Sequence, residues 1–285
     1  MKYLAPQRLS DLVSLLSTSD NPKILAGGTD LLVQLRAGSV KPATIIDIKK
    51  VPETRAIHLN GEELVVGAAV SGAEFNEHTE AAALWPGVAE AFDLIGSTQI
   101  QGRATLGGNL CNASPAADTV PALIAAGAVA RIVGPKGERE LAVEDIHAGP
   151  GRTHLDPGEF IVSFRFPVRD EHSGDAYLRF IPRTEMDIAV VGVGINLSLD
   201  NDGICTFARV GLGAVAPTAL LVEDAANALI GTPVDEPALD ALAKAVSAAC
   251  NPIDDKRGTI EYRTKVAGVL AKRVALIALE RAQNN

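Results

Sequence analysis

The stretch Ala104-Thr105-Leu106-Gly107-Gly108-Asn109-Leu110-Cys111-Asn112-Ala113-Ser114-Pro115-Ala116-Ala117-Asp118 is the most informative part of this chain. It joins two adjacent glycines to amides, hydroxyls and a carboxylate, and an apolar run follows directly. Because Asn112, Ser114 and Pro115 delay the next helix, we expect residues 105–117 to form a long structured loop. The loop has more hydrogen-bonding side chains than a turn needs. Such a loop is either solvated or bound to a ligand, and its polar density favours binding.

A second pair of glycines lies about eighty residues earlier, in Ile24-Leu25-Ala26-Gly27-Gly28-Thr29-Asp30-Leu31. Residues 23–26 are typical of a short strand, and Thr29 and Asp30 suit the start of a helix that ends near Gly38. This arrangement presents free backbone N–H groups to an anion, although alone it is more typical of a simple strand–turn–helix corner. The stretch lacks the lysine of a triphosphate-binding loop and the third glycine of a dinucleotide fingerprint. We interpret the two glycine loops as holding one phosphate-bearing cofactor between them.

Composition limits the possible partners. The chain has 285 residues, 47% of them hydrophobic, which suits two or three folded units. A net charge of −9 argues against nucleic acid or an anionic membrane as the main partner. A bound phosphate must therefore be held by local amides and not by a general positive field.

The sequence lacks the residue patterns of several other kinds of site, which excludes or disfavours them. Three scattered cysteines make neither a disulfide framework nor a cluster site, and the five histidines show no metal-ligand spacing. The stretch 192–197 ends in Leu197 where a dinucleotide fingerprint needs glycine, and no G-x-S-x-G motif is present. No apolar run of about twenty residues or leader pattern occurs, so we expect a cytoplasmic protein without membrane contact.

The order of predicted elements suggests three units. The first closes near Pro52, and Asn60-Gly61 then marks a hairpin between two strand-like runs. Helical patterns cover residues 71–84, 87–95 and 118–126, and strand patterns cover 128–133 and 159–166. After a polar linker at 170–174, three strands (176–181, 189–199, 204–212) precede three helices (220–230, 237–249 and 259 to about 282). Strands followed by helices favour a separate α+β domain.

Taken together, four stretches resemble the FAD-binding subunit or domain of the molybdenum hydroxylases, a family that includes xanthine dehydrogenase and carbon monoxide dehydrogenase. They are residues 24–31, residues 105–109 with 113–115 and Asp118, residues 187–191 following 183–185, and residues 255–263. The resemblance covers essentially the whole chain. The order and separation of the four motifs make it far more specific than any one motif.

The resemblance implies an α+β fold: a two-lobed FAD-binding α/β domain of the vanillyl-alcohol-oxidase/PCMH type, plus a C-terminal domain of three antiparallel strands and a helix bundle. The implied units are residues 1–52, 53–175 and 176–285. It also implies a noncovalent FAD site, because no His or Cys except Cys111 falls near the flavin-facing motif positions. The implied FAD-binding residues are Ile24, Leu25, Ala26, Gly27, Gly28, Thr29, Asp30, Leu31, Ile95, Thr105, Gly107, Gly108, Asn109, Ser114, Asp118, Ile161 and Arg179.

The implied activity is electron transfer, with no catalytic or metal-binding residue in this chain. A large partner subunit would carry the molybdopterin centre and a small one two [2Fe–2S] clusters, in a dimer of heterotrimers. FAD would take electrons from the clusters and pass them to a soluble acceptor. The Arg179 guanidinium would stabilise a negative charge on the flavin. Thr29-Asp30 and Ala113-Ser114-Pro115 depart from the carbon monoxide dehydrogenase pattern, so the resemblance favours the xanthine dehydrogenase and aromatic-heterocycle branch. The alternative is a stand-alone FAD-dependent oxidoreductase of the same fold.

Overall fold

The computed structural model describes residues 1–60, 63–183 and 186–285; the side chain of Asn60 is also left undescribed. These described residues build three sheets from successive segments, together with a two-stranded ribbon. We name them the parallel sheet, the five-stranded sheet and the four-stranded sheet. No helix in the described ranges is both long and apolar enough to cross a membrane.

The parallel sheet is formed by the first fifty residues. Its strands are β1 (Lys2–Leu4), β2 (Pro22–Leu25) and β3 (Thr44–Asp47), with β3 at the centre, and its helices are α1 (Leu9–Thr18) and α2 (Leu31–Ala37). β3 is buried throughout, as expected of a central parallel strand. α1 buries Leu12 and Leu16, whereas α2 buries none of its residues. As predicted, α2 ends at Gly38, whose φ of 72° suits glycine.

The five-stranded sheet is antiparallel with the order β4-β5-β10-β6-β7. Its strands are β4 (Ile57–Asn60), β5 (Glu63–Gly67), β6 (Val129–Gly134), β7 (Gly137–Ala142) and β10 (Phe160–Phe166). The predicted hairpin turn at Asn60-Gly61 falls partly outside the described residues, but the strands that it joins pair antiparallel. The ribbon of β8 (His147–Gly149) and β9 (Arg152–Thr153) precedes β10.

Six short helices separate β5 from β6: α3 (Gly72–Glu77), α4 (Thr79–Leu84), α5 (Pro86–Asp93), α6 (Thr98–Gln101), α7 (Leu106–Cys111) and α8 (Thr119–Ala125). The single helix predicted over 71–84 is broken at His78, whose ring Nδ1 accepts a hydrogen bond from the Ala81 N–H and so starts α4. The long loop predicted over 105–117 is also wrong, since it contains α7. Thr105 caps this helix by accepting from Gly108 N–H at 3.0 Å, and burial of Leu106 and Leu110 on one face offsets the poor helix propensity of the glycines.

The four-stranded sheet comprises β11 (Ser173–Phe180), β12 (Val191–Leu199), β13 (Cys205–Gly213) and β14 (Leu220–Leu221), in that order and antiparallel. Its helices are α9 (Glu223–Asn227), α10 (Glu236–Ala249) and α11 (Ile260–Asn284). The three long strands and the last two helices match the prediction. The helix predicted over 220–230 is wrong at its start, because Leu220 and Leu221 pair with β13 as the two-residue edge strand β14.

Helix α8 connects the sheets, and every one of its residues is buried. It lies against β12 and β13 at Gly194 and Gly211, where an added Cβ would come within 2.6 and 2.3 Å of the Pro121 carbonyl oxygen. Gly194, in the fingerprint-like stretch 192–197, therefore allows a helix to approach the sheet closely, which explains why a glycine occurs in this strand.

Candidate functional site

A cavity of about 380 Å³ lies between the two glycine loops. It brings together thirteen of the seventeen residues that the resemblance implies for FAD: Ile24, Ala26, Gly27, Gly28, Thr29, Asp30, Leu31, Ile95, Thr105, Gly107, Gly108, Asn109 and Ile161. The parallel sheet supplies one side of the cavity, and the five-stranded sheet with its helices supplies the other.

The other four implied residues do not line this cavity. Leu25 lies at the end of β2, where its side chain packs beneath Gly28. The Ser114 hydroxyl accepts from Ala116 N–H at 3.3 Å within a local turn. Asp118 and Arg179 form a buried ion pair with 2.8 Å between Oδ2 and Nη1. In this structure these residues contact the protein and not the cavity.

Sequence reasoning missed several residues that line the cavity. Cys111 and Asn112 belong to the quoted stretch, so their position beside Asn109 was a usable signal. No local signal marks the distant contributors, because tertiary packing alone brings them to the cavity. These contributors are Leu16, Gln34, Ile48, Ala68, Leu155, Gly158, Glu159 and Phe160, whereas Pro22, Lys23 and Ala104 directly adjoin the two glycine motifs.

The first glycine of each pair allows a close approach within the protein. An added Cβ at Gly27 would lie 1.9 Å from the Arg103 carbonyl oxygen, and one at Gly107 would lie 2.7 Å from that of Ala68. The contact at Gly27 brings the first loop directly against the segment that enters the second. Gly28 has a φ of 82°, a conformation that favours glycine.

In the first loop, the carbonyl groups of Ala26 and Gly27 are occupied and the amides that follow are free. Lys49 Nζ donates to Ala26 O at 2.8 Å, and Arg103 Nε donates to Gly27 O at 3.3 Å. Asp47 holds the Lys49 ammonium at 2.8 Å. Within the described part of the chain, no oxygen accepts from the N–H groups of residues 27–30. Consecutive free amides beside a cavity form a site for an anion such as a phosphate group.

Two carboxyl groups near the site have a raised pKa. Burial raises the pKa of Asp30, which lines the cavity, above its ordinary value. Burial also raises the pKa of Asp118 to about 6, opposed by the positive charge of Arg179 and the Tyr177 hydroxyl. The Asp118 shift belongs to an ion pair between α8 and β11, at the contact of the four-stranded sheet with the rest of the chain.

Comparison with known families identifies the cofactor of this chain. Residues 1–169 match the family described as the FAD binding domain in molybdopterin dehydrogenase, and residues 176–278 match the CO dehydrogenase flavoprotein C-terminal domain. The chain belongs to the FAD-binding medium subunits of the molybdenum hydroxylases. It is thus an oxidoreductase subunit, and FAD is its cofactor. A cavity between two glycine loops, with free amides along one of them, fits that cofactor.

The relatives of this flavoprotein subunit match it over nearly its full length. The carbon monoxide dehydrogenase medium chain of Afipia carboxidovorans is 34% identical, over 99% of this chain and 98% of its own. A putative xanthine dehydrogenase FAD-binding subunit of Escherichia coli is 31% identical, over 95% and 94%. These identities do not favour the xanthine dehydrogenase branch that Thr29-Asp30 led us to expect.

Solved structures of this flavoprotein family confirm the predicted fold class. CO dehydrogenase from Oligotropha carboxidovorans matches with a TM-score of 0.94 at 32% identity, over 99% of this chain and 98% of that chain. Quinoline 2-oxidoreductase from Pseudomonas putida matches with a TM-score of 0.90 at 28% identity, over 99% and 98%. The α+β fold with its two-lobed FAD-binding domain and C-terminal domain is therefore shared across enzymes with different substrates.

Proposed function

We propose that this chain is the electron-transfer subunit of a heteromeric molybdenum hydroxylase. It would bind FAD noncovalently between its two glycine loops, receive electrons from the iron–sulfur clusters of a partner subunit and pass them to a soluble acceptor. FAD, when bound, supplies two-electron chemistry that can also proceed in single-electron steps. The residues of this chain bind and orient the cofactor.

The row of free amides at residues 27–30 is the observation that carries the proposal. We expect these N–H groups to bind the FAD pyrophosphate, since they line the cavity and have no acceptor among the described residues. Lys49 and Arg103 support this role because they hold the Ala26 and Gly27 carbonyl oxygens, which would otherwise be free to turn toward a phosphate. Ile95 and Ile161 would give the ring system apolar contacts.

The chemistry of the cavity favours electron transfer over independent substrate oxidation. A stand-alone FAD-dependent oxidoreductase of this fold would need an acid–base group beside the flavin. Among the described residues that line the cavity there is no His or Tyr to take this role. Its two carboxyl groups have other roles, since Asp30 belongs to the loop whose amides we assign to the pyrophosphate and Glu159 is paired with Arg139.

The names of the relatives and the cysteine content support the proposed partners. Three relatives are called medium chain or FAD-binding subunit, which describes one part of a larger enzyme. A [2Fe–2S] cluster requires about four protein ligands, and this chain has three scattered cysteines. We therefore place the molybdopterin centre and both clusters on a large and a small partner subunit, in a dimer of heterotrimers.

We also propose three structural units, residues 1–52, 53–175 and 176–285. The parallel sheet and the five-stranded sheet fall within the first two ranges, and the four-stranded sheet falls within the third except for the first three residues of β11. This distribution supports the division. A cytoplasmic location stays a prediction from the sequence.

Two measurements test the proposal. Purified full-length chain, titrated with FAD, should bind one equivalent that acid or heat releases, and affinity purification from the native host should recover molybdenum- and iron-containing subunits. A folded chain that does not bind excess FAD would refute the cofactor site. A chain that binds FAD, purifies alone from its host and oxidises a substrate unaided would support the stand-alone alternative instead.

A further inference from the structure

We infer that Thr119 is a positioning residue for the cofactor. It fixes the Asn109 amide so that the NH₂ group, and not the oxygen, faces the cavity; Asp118, with Arg179, anchors Thr119 to the four-stranded sheet. This inference rests on the proposed function, since it takes the cavity as the FAD site.

The orientation of Asn109 follows from its contacts with the start of α8. Asn109 Oδ1 lies 3.2 Å from Thr119 N and 2.6 Å from Thr119 Oγ1. A backbone N–H can only donate, so the amide atom that faces it must be the acceptor oxygen and not the nitrogen. The side chain cannot flip without losing the bond from this N–H. Thr119 thereby determines that the nitrogen end of the Asn109 amide points away from α8.

The other end of the amide is available to a ligand. Asn109 lines the cavity and is half-buried, and Nδ2 has no acceptor among the described residues. Each acceptor that FAD offers, whether a phosphate oxygen, a ribityl hydroxyl or a ring carbonyl, can pair with this donor. A flipped amide would place an oxygen against these acceptors and repel them. Fixing the orientation therefore favours binding.

Thr119 is in turn held by its neighbour in the chain. Asp118 accepts from Arg179 Nη1 at 2.8 Å and from the Tyr177 hydroxyl at 3.2 Å, and both partners lie on β11. Thr119 is fully buried at the first position of α8, and α8 packs against β12 and β13 at glycine contacts. The four-stranded sheet therefore fixes the peptide that orients Asn109.

This arrangement gives Asp118 and Arg179 a role that does not require contact with the cavity. They act on the FAD site through two intervening residues, Thr119 and Asn109. The C-terminal part of the chain would then affect FAD affinity although its strands supply no residue to the cavity lining.

A double-mutant cycle on the full-length chain tests the inference, with FAD affinity measured by fluorescence titration. Thr119→Val should weaken FAD binding about three- to tenfold, since it removes one hydrogen bond to Asn109. Thr119→Ser, which keeps the hydroxyl, should bind within about twofold of wild type. In an Asn109→Ala background, Thr119→Val should cause no further loss of affinity.

The thermal stability of the FAD-free chain shows whether Thr119 acts by positioning Asn109 or by packing. If Thr119→Val disturbs packing, it should lower the melting temperature both in the wild-type chain and in the Asn109→Ala variant. If Thr119→Val weakens FAD binding equally with and without Asn109, Thr119 acts through packing and the inference is wrong. If the wild-type chain does not bind FAD, it is the proposed function that fails.

Asn109→Asp provides a test that does not depend on how well a Thr119 variant folds. Aspartate keeps one oxygen for Thr119 and places the second oxygen toward the cavity. We therefore expect Asn109→Asp to weaken FAD binding at least about tenfold more than Asn109→Ala does. The reason is that a negatively charged oxygen, which repels the acceptor atoms of FAD, replaces a hydrogen-bond donor. If Asn109→Asp binds FAD as well as Asn109→Ala or better, the cavity-facing group is not a required donor and the inference is overturned.

Discussion

At the scale of single residues, the glycine loops combine two requirements. Gly27 must lie close to the Arg103 carbonyl group, and the amides that follow it must stay free for a ligand. The first requirement is met by the missing side chain and the second by cations that hold the neighbouring carbonyl oxygens. The geometry of the loop therefore depends on residues that do not line the cavity.

Gly27→Ala tests the close approach. Its Cβ would lie 1.9 Å from Arg103 O, so the two loops must separate. We expect a loss of about 1–3 kcal/mol in unfolding free energy and a drop in FAD affinity of more than about tenfold. Gly102→Ala is a control on the segment that Gly27 contacts, because its Cβ would meet nothing nearer than 3.9 Å. Equal effects of the two substitutions on FAD binding would contradict the loop contact.

Lys49→Met tests whether the hydrogen bond from Lys49 to the Ala26 carbonyl oxygen is needed for FAD binding. It removes the donor to Ala26 O at 2.8 Å while Asp47 keeps the bond from the Tyr3 hydroxyl. FAD affinity should fall by about tenfold, the size of one hydrogen bond to a charged group. Lys50→Met makes the same change of charge at an exposed neighbour and should leave the titration unchanged. Similar losses in both variants would point to net charge instead of loop geometry.

At the scale of elements, sequence patterns identified most of what local periodicity controls. The glycine loop between β2 and α2, the three long strands of the four-stranded sheet and helices α10 and α11 were all predicted. Helix α7 was missed because its stability comes from burying Leu106 and Leu110, and not from the propensity of its glycines. β14 was missed because two residues pair only when β13 lies beside them.

The candidate site was predictable to a similar extent. Residues that share a motif, such as Gly107 and Asn109, were identified together. Leu155 and Gly158 were not, because they reach the cavity from a segment whose local sequence carries no ligand-binding pattern. Arg179 was placed by resemblance, and its buried ion pair with Asp118 depends on the docking of two sheets that no single segment reveals.

Gly211→Ala tests the docking of α8 on the four-stranded sheet. A Cβ at this position would lie 2.3 Å from the Pro121 carbonyl oxygen, so α8 must shift. We expect a loss of about 1–3 kcal/mol in unfolding free energy, measured by urea denaturation. Ser198→Ala, a small change at a buried position of the neighbouring strand β12, serves as the control and should cost less than about 1 kcal/mol. A Gly211 variant as stable as the control would mean that the helix does not lie this close.

At the scale of the whole molecule, the Asp118–Arg179 pair predicts a pH effect on stability. Burial raises the folded-state pKa of Asp118 from 3.8 to about 6. The folded state therefore binds this proton more tightly than the unfolded state does. The resulting stabilisation is complete below about pH 4 and is lost as the pH rises through about 6.

Asp118→Asn should remove this dependence. The wild-type minus variant difference in unfolding free energy should fall by at most about 3 kcal/mol between about pH 4 and about pH 7. Urea denaturation of both proteins across this range measures the difference. A difference that rises with pH would show that Arg179 lowers the pKa of Asp118 by more than burial raises it.

The cavity shared by the parallel and five-stranded sheets has a consequence for cofactor loss. Val133, Phe160 and Val162 of the five-stranded sheet belong to the core that covers the parallel sheet. A ligand held by both sheets binds only while they are together, so mass action opposes their separation. At a free FAD concentration one hundred times its dissociation constant, this linkage adds about 2.7 kcal/mol to the free energy needed to separate the two sheets. Proteolysis within the first fifty residues should therefore slow in proportion to FAD concentration, and depletion of the cofactor should expose this segment first.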